Sequence, residues 1–284
     1  MSIERDRFRR NPSPATFAPV ASHPRKPSVK LKIQSRPALV AGVTGILFAL
    51  MAPTLLASDW EHQVGFSGFV FGMEGDAGAK GVSAEVDLSK EDVLEDLQGA
   101  FTALVIGDNG RWGYWASFEY VDVGDDAAKV LFPDVTNVFV EGKANFKTVI
   151  VDSGLSYHIP GVDWLEALVG VRYWGLEQDL KSSRSSDLGG ESRSVSNDEQ
   201  WLDGFAGVKA EIPIANRWGA TIRLDAGGGG SDSSYQALGL VNFAVTERWT
   251  TVFGYRYLKV DYEDGGFLFD MTMKGFDLAV LYRL

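Results

Sequence analysis

Apolar and polar residues alternate with period two along much of this chain, most clearly at its carboxyl end. Phe276, Leu278, Val280, Tyr282 and Leu284 fall on one face of an extended segment, and Asp277, Ala279, Leu281 and Arg283 fall on the other. A strand sends successive side chains to opposite faces, so this segment predicts a β-strand with one apolar side. The same pattern sets Trp112, Tyr114, Ala116, Phe118 and Tyr120 against Trp115, Ser117 and Glu119, and Leu165, Ala167, Val169, Val171 and Tyr173 against Glu166, Arg172 and Trp174. After Trp218 come Ala220, Ile222, Leu224 and Ala226 opposite Arg223 and Asp225; after Trp249 come Phe253, Tyr255 and Tyr257 opposite Arg256. With less regular segments over 60–73, 98–107, 145–159, 200–213 and 234–246, the pattern predicts about ten strands, eight being the alternative count.

The apolar faces need a solvent, and the tryptophans suggest which. Trp60, Trp112, Trp164, Trp218 and Trp249 each follow a charged residue and open a strand. Tryptophan favours the headgroup level of a bilayer, so one per hairpin at one end of the strands predicts an aromatic girdle on a transmembrane β-barrel. Short turns at Asp108-Asn109-Gly110, Pro160–Asp163, Pro213–Arg217 and Thr246–Arg248 alternate with longer connections at about 74–97, 123–144 and 177–199. Asn-Gly suits a type I′ hairpin, and the prolines at 160 and 213 end strands because they cannot donate to a ladder. Short turns belong to the periplasm and long loops to the exterior, which places both termini in the periplasm. The expected fold is therefore all-β: an antiparallel up-and-down transmembrane barrel in a Gram-negative outer membrane.

Residues 1–57 carry nine basic side chains, from Arg5 to Arg36, and an apolar run from Ala38 to Ala57, the pattern of a cleavable signal peptide with a long basic leader. The expected barrel domain, 58–284, keeps 18 of the 27 basic and 36 of the 38 acidic residues, a net charge of −18. That charge argues against nucleic acid as a partner, since phosphates demand a basic footprint. The absence of cysteine excludes disulfides, thiolate metal sites and thiol catalysis.

Gly170-Val171-Arg172-Tyr173-Trp174 and Gly254-Tyr255-Arg256-Tyr257-Leu258 share the pattern Gly-x-Arg-Tyr at distances from Trp164 and Trp249 that differ by one residue, an offset that a bulge or a register adjustment would absorb. With Trp201–Gly207 (WLDGFAG), Asp225–Gly228 followed by Ser231 and Gln236, and Asp261-Tyr262, these segments resemble a family of uncharacterised Gram-negative outer-membrane β-barrels. The resemblance covers most of residues 58–284 and implies fold and location, but no substrate. The last residues resemble the C-terminal signal read by the barrel-assembly machinery, with Leu284 where the usual residue is Phe. The expected partners are that machinery, outer-membrane lipid and lipopolysaccharide.

Candidate chemistry is concentrated on the inward faces. Glu119, Asp152, Glu166, Asp203, Glu211, Asp225 and Asp277, with Arg172, Lys209, Arg223, Arg256 and Arg283, form the expected lumen charge network. Such groups pair and fill a narrow barrel, because an unpaired charge there is costly. A structural or small-solute pore role follows; the alternative is ligand binding or adhesion through acidic external loops such as 181–197, Asp122–Asp126 and Asp261–Asp264. His62 and His158 both lie beside short turns, away from the rim where barrel enzymes work, and no nucleophile elbow, phosphate loop or metal-ligand spacing is present. No enzymatic activity, cofactor or metal is expected. Gly227–Gly230 read as a strand end, and Ser89-x-x-Asp92 predicts a short capped helix in the first long connection.

Overall fold

The computed structural model of the chain describes residues 59–79, 82–124, 128–131, 139–184 and 191–284. The expected leader, residues 1–57, lies outside the described residues, as do 185–190 of the serine-rich stretch and 125–126 of the first acidic cluster. The strands are β1 (Glu61–Ala79), β2 (Val82–Leu88), β3 (Leu97–Asp108), β4 (Trp112–Gly124), β5 (Ala128–Leu131), β6 (Phe139–His158), β7 (Leu165–Arg184), β8 (Glu191–Ala215), β9 (Trp218–Gly229), β10 (Ser233–Ala244), β11 (Trp249–Asp264) and β12 (Phe267–Arg283). A helix, α1 (Lys90–Glu95), lies between β2 and β3.

Ten strands, all except β2 and β5, form an antiparallel ring that β12 closes by pairing with β1 from Gln63↔Arg283 to Ala79↔Phe267. Closure leaves the lower barrel without a free edge, which lets strands cross a medium that cannot hydrogen-bond. The outward faces carry the alternation read from the sequence: Phe66, Val169, Leu224, Phe253 and Leu278 are each at least half exposed, while Asp152, Arg172, Asp225 and Asp277 on the opposite faces are buried. Trp112, Trp164, Trp218 and Trp249 stand exposed at the short-turn end; Trp60 stacks over His62 and Tyr114 instead. Tyr114 lies on the outward face yet is buried, because Gly107 opposite it has no side chain and the ring fills that space to bring Oη within 2.9 Å of His62 Nδ1.

Several expectations are corrected. Among the described residues, the longer connections at 74–97, 123–144 and 177–199 are largely strand: β1, β6, β7 and β8 run on, and β2 and β5 pair with each other and with β1 and β6. Above the ends of β3 and β4, therefore, β2 and β5 continue the wall between β1 and β6. The β3–β4 turn has three residues rather than two; Gly110 takes φ 78°, and Asn109 Oδ1 accepts from the amides of Arg111 and Trp112 at 3.0 and 2.7 Å. Pro213 does not end its strand, since β8 continues to Ala215 across a register shift. The one-residue offset between the two Gly-x-Arg-Tyr segments is a register adjustment, the second of the two alternatives: β7 starts after its tryptophan and β11 starts on it. The helix forms as expected: Ser89 Oγ accepts from the Asp92 amide, and Asp92 Oδ2 accepts from the Ser89 amide at 2.9 Å.

Past the level of Arg172 and Arg256 the two faces exchange character. Phe267, Phe269, Met271 and Met273 point inward on β12, opposite Asp270, Thr272 and Lys274. Leu258, Val260 and Tyr262 do so on β11, and Trp174 and Leu176 on β7. With Phe71, Met73, Val121, Val123, Phe146 and Trp201 they form one apolar core inside the upper part of the barrel.

Candidate functional site: the lumen between two rims

Rather than one network, the inward charges form two clusters midway along the lumen and a separate group around Lys209 near the short-turn rim. In the first, Asp152 on β6 accepts from Arg172 Nη2 on β7 at 2.7 Å, from Arg223 Nη2 on β9 at 3.2 Å, and from the Trp115 indole on β4. Asp225 accepts from Arg223 Nε at 2.8 Å and Arg172 Nη2 at 3.1 Å, while Arg172 also donates to Ser234 on β10 at 3.2 Å. Two guanidinium groups thus face two carboxylates, and the set is neutral. Both guanidinium groups lie over aromatic faces, Arg172 at 4.9 Å from Phe205 and Arg223 at 4.7 Å from Trp115. Stacking of this kind suits the planar, weakly hydrated guanidinium.

In the second cluster Arg256 on β11 donates to Glu119 on β4 at 2.8 Å and to Asp277 on β12, with its guanidinium 4.5 Å from the Phe69 ring. The Glu119–Arg256 bond joins strands that β12, β1 and β3 separate around the ring, so it spans the lumen.

The shared glycine of the repeat now has a physical reason. A Cβ on Gly170 would sit 2.5 Å from the Phe205 ring that supports Arg172, and one on Gly254 would sit 2.0 Å from the Gly239 carbonyl oxygen. Both glycines let a neighbour approach two residues before the arginine that the lumen uses.

The other sequence-predicted residues go elsewhere. Lys209 bridges Glu166 and Glu211, each at 2.9 Å, near the short-turn rim. Asp203 accepts from the Ser231 amide and hydroxyl, both at 2.8 Å, and so fixes the β9–β10 turn. Arg283 is exposed at the end of β12, 3.8 Å from Glu61, and joins neither cluster. Sequence reasoning did not assign Trp115, Phe205, Phe69, Ser234 or Gln236 to the clusters. The two polar residues carried a signal, since alternation from outward Tyr235 turns both inward. Among the aromatic supports, alternation turned Trp115 inward beside Glu119, but a buried ring and a guanidinium platform read alike in sequence, so the supporting role of Trp115, Phe205 and Phe69 carried no signal.

Between the clusters and the short-turn rim lies a cavity of about 390 Å³. Its walls include Leu104, Ile106, Leu238 and Leu240, its inner end meets Asp152, Arg223 and Arg256, and Asp108, Lys209 and Glu211 reach its outer part. The volume matches a small-molecule pocket, with mostly apolar walls and a few convergent polar groups. On the other side of the clusters Trp174, Trp201 and Tyr262 stack with ring centroids 5.6 and 4.1 Å apart, and Phe267 and Phe269 pack around them.

No family model and no curated protein matches the chain. Solved structures similar to it include the translocator domain of the autotransporter NalP from Neisseria meningitidis, at 14% identity and TM-score 0.38, covering 87% of this chain and 97% of that one. The attachment invasion locus protein Ail of Yersinia pestis is similar at 15% identity and TM-score 0.32, covering 79% and 97%. The transport unit of the autotransporter AIDA-I from Escherichia coli is similar at 11% identity and TM-score 0.36, covering 88% and 99%. The likeness is one of barrel architecture.

Proposed function

We propose that the chain is a structural outer-membrane barrel whose lumen is closed, with its short turns and both termini in the periplasm and its upper tier raised outside the cell. The observation that carries this reading is the Glu119–Arg256 bond across the lumen, backed on one side by the neutral Arg172–Arg223 cluster and on the other by the stacked aromatic core. A solute would have to break buried ion pairs and then displace packed rings. Lipid and lipopolysaccharide contact the outer band, and the barrel-assembly machinery inserts the chain after removal of its leader.

Planar-bilayer recording tests the reading directly. The wild-type protein is expected to give no stable ohmic steps, and Arg256→Ala is expected to introduce flickering leak. Stable conductance in the wild type would replace the closed barrel by a small-solute pore. A second reading, adhesion through the exterior tier, draws on the outward acidic residues Glu74, Asp76, Glu177, Asp198 and Glu263, which give that tier a charged surface. Loss of cell or matrix binding on neutralising these residues, with the lumen untouched, would favour it.

A further inference from the structure

At the short-turn rim three inward side chains from three strands converge: Asp108 at the end of β3, His158 at the end of β6 and Glu166 at the start of β7. One ligand atom from each lies within 4.8 Å of the others, and His158 Nε2 is 2.8 Å from Asp108 Oδ2. Glu166 is fully buried, and its Oε1 is held by Lys209 while its Oε2 has no hydrogen-bond partner. A buried carboxylate oxygen without a donor is costly and calls for an explanation; Arg256 Nε, Trp174 Nε1 and Asp122 Oδ1 are also buried without partners, but the Glu166 oxygen is the one beside two further ligand groups.

We propose that Asp108, His158 and Glu166 form a binding site for a first-row divalent cation of the Zn²⁺ type. One imidazole nitrogen and two carboxylate oxygens are a donor set that Zn²⁺ accepts, whereas Mg²⁺ and Ca²⁺ favour all-oxygen shells. Ligand atoms at about 2.0–2.2 Å from a tetrahedral Zn²⁺ are roughly 3.4 Å apart, so the three groups need to close by little more than about 1 Å. Lys209 holds Glu166 Oε1 and Glu211 Oε1, each at 2.9 Å, and so leaves the second Glu166 oxygen as the one without a donor. The ion would tie β3, β6 and β7 together where β4, between β3 and β6, begins only at Trp112. It would also stand beside the cavity that Asp108 and Lys209 line, leaving a coordination position for water or an anionic solute.

The competing account is that His158 is itself the cation, protonated between Asp108 and Glu166. Calorimetric titration of the detergent-solubilised full-length barrel with ZnCl₂ separates the two. The site predicts saturable uptake of one ion per chain with proton release, and a Co²⁺ titration that raises visible d–d absorption. His158→Ala and Asp108→Asn should each weaken uptake by about 100-fold or more, since even outer-shell changes cost 10–100-fold. Heat-modifiable migration verifies that each variant is folded. A second measurement covers the case of a misfolded variant: excess MgCl₂ or CaCl₂ should not displace Co²⁺ from the wild type. Absence of saturable Zn²⁺ uptake by the wild type, or uptake of unchanged affinity in folded His158→Ala, would overturn the site; the latter would assign the ion to the acidic exterior. Displacement of Co²⁺ by MgCl₂ would do the same.

Discussion

The two tiers of this barrel use the same alternation with opposite sign. In the lower tier Leu278, Val280 and Phe253 face outward and Asp277 and Arg256 face inward; in the upper tier Asp270, Lys274 and Glu263 face outward and Phe269, Met271 and Tyr262 face inward. Each face follows its solvent. Lipid outside the lower tier requires apolar side chains there, and the lumen can then hold charges only by pairing them. Water outside the upper tier permits charges there, and the interior is released to pack like a soluble core. The strands run straight through the change, so hydrogen bonding is continuous while the source of cohesion switches from ion pairs to apolar contact.

The sharpest way to break this comparison is to remove a lower-tier ion partner. Arg172→Ala leaves Asp152 and Asp225 each with one fewer cation in a buried setting, and should cost about 3–5 kcal/mol in urea unfolding from lipid. A loss under about 1 kcal/mol, as for an exposed pair, would mean that water reaches the cluster and the lumen is wetter than its packing implies.

A second measurement compares one face of one strand at two heights. Leu278→Arg sets a charge in the outward apolar band and should destabilise by about 2–4 kcal/mol near the midplane, falling toward an interface. Asp270→Arg lies on the same face of β12 in the upper tier and should change stability by no more than about 0.5 kcal/mol. Equal penalties at the two sites would remove the boundary between tiers. Gly254→Ala probes the close approach that the lower tier requires. Its Cβ would meet the Gly239 carbonyl oxygen at 2.0 Å, so β10 and β11 must part, at about 1–3 kcal/mol.

The lower tier was legible in the sequence because lipid and lumen impose opposite chemistry on adjacent residues, as in Phe276 to Leu284. The upper tier was not. Its outward positions, such as Glu74, Asp76, Glu177 and Asp179, are acidic, and that composition reads as loop even where every second residue is a core residue such as Met73 or Leu176. The inward charges were also visible as a set, but their division into clusters was not. Glu119 and Arg256 are 137 residues apart, and alternation reports the face a residue occupies without reporting which residue lies across the lumen. The convergence of Asp108, His158 and Glu166 escaped for the same reason, since each sits at the end of a different strand.

The smallest expected effect lies at the tier boundary, where α1 joins β2 to β3. Hydrogen bonds from the Ser89 hydroxyl and then the Ser89 amide hold the Asp92 carboxyl below the ordinary aspartate range. A depressed folded-state value means that the capping interaction is fully present above the unfolded value of about 4 and is lost as pH falls through the lower folded one. Acidification from neutrality to about pH 3 slows intrinsic amide exchange everywhere, so the readout is protection relative to that intrinsic rate: it should fall at Val93 and Asp96, whose N–H groups bond to the Ser89 and Asp92 carbonyls. Amides of β11 and β12 in the lower tier should stay protected, because the closed ladder holds them whatever the state of this cap. Asp92→Asn should show the reduced protection already at neutral pH. If Val93 and Asp96 kept the same protection at both pH values in the wild type, the helix would be held by Val93 packing against the apolar core instead of by its cap, and α1 would belong energetically to the upper tier.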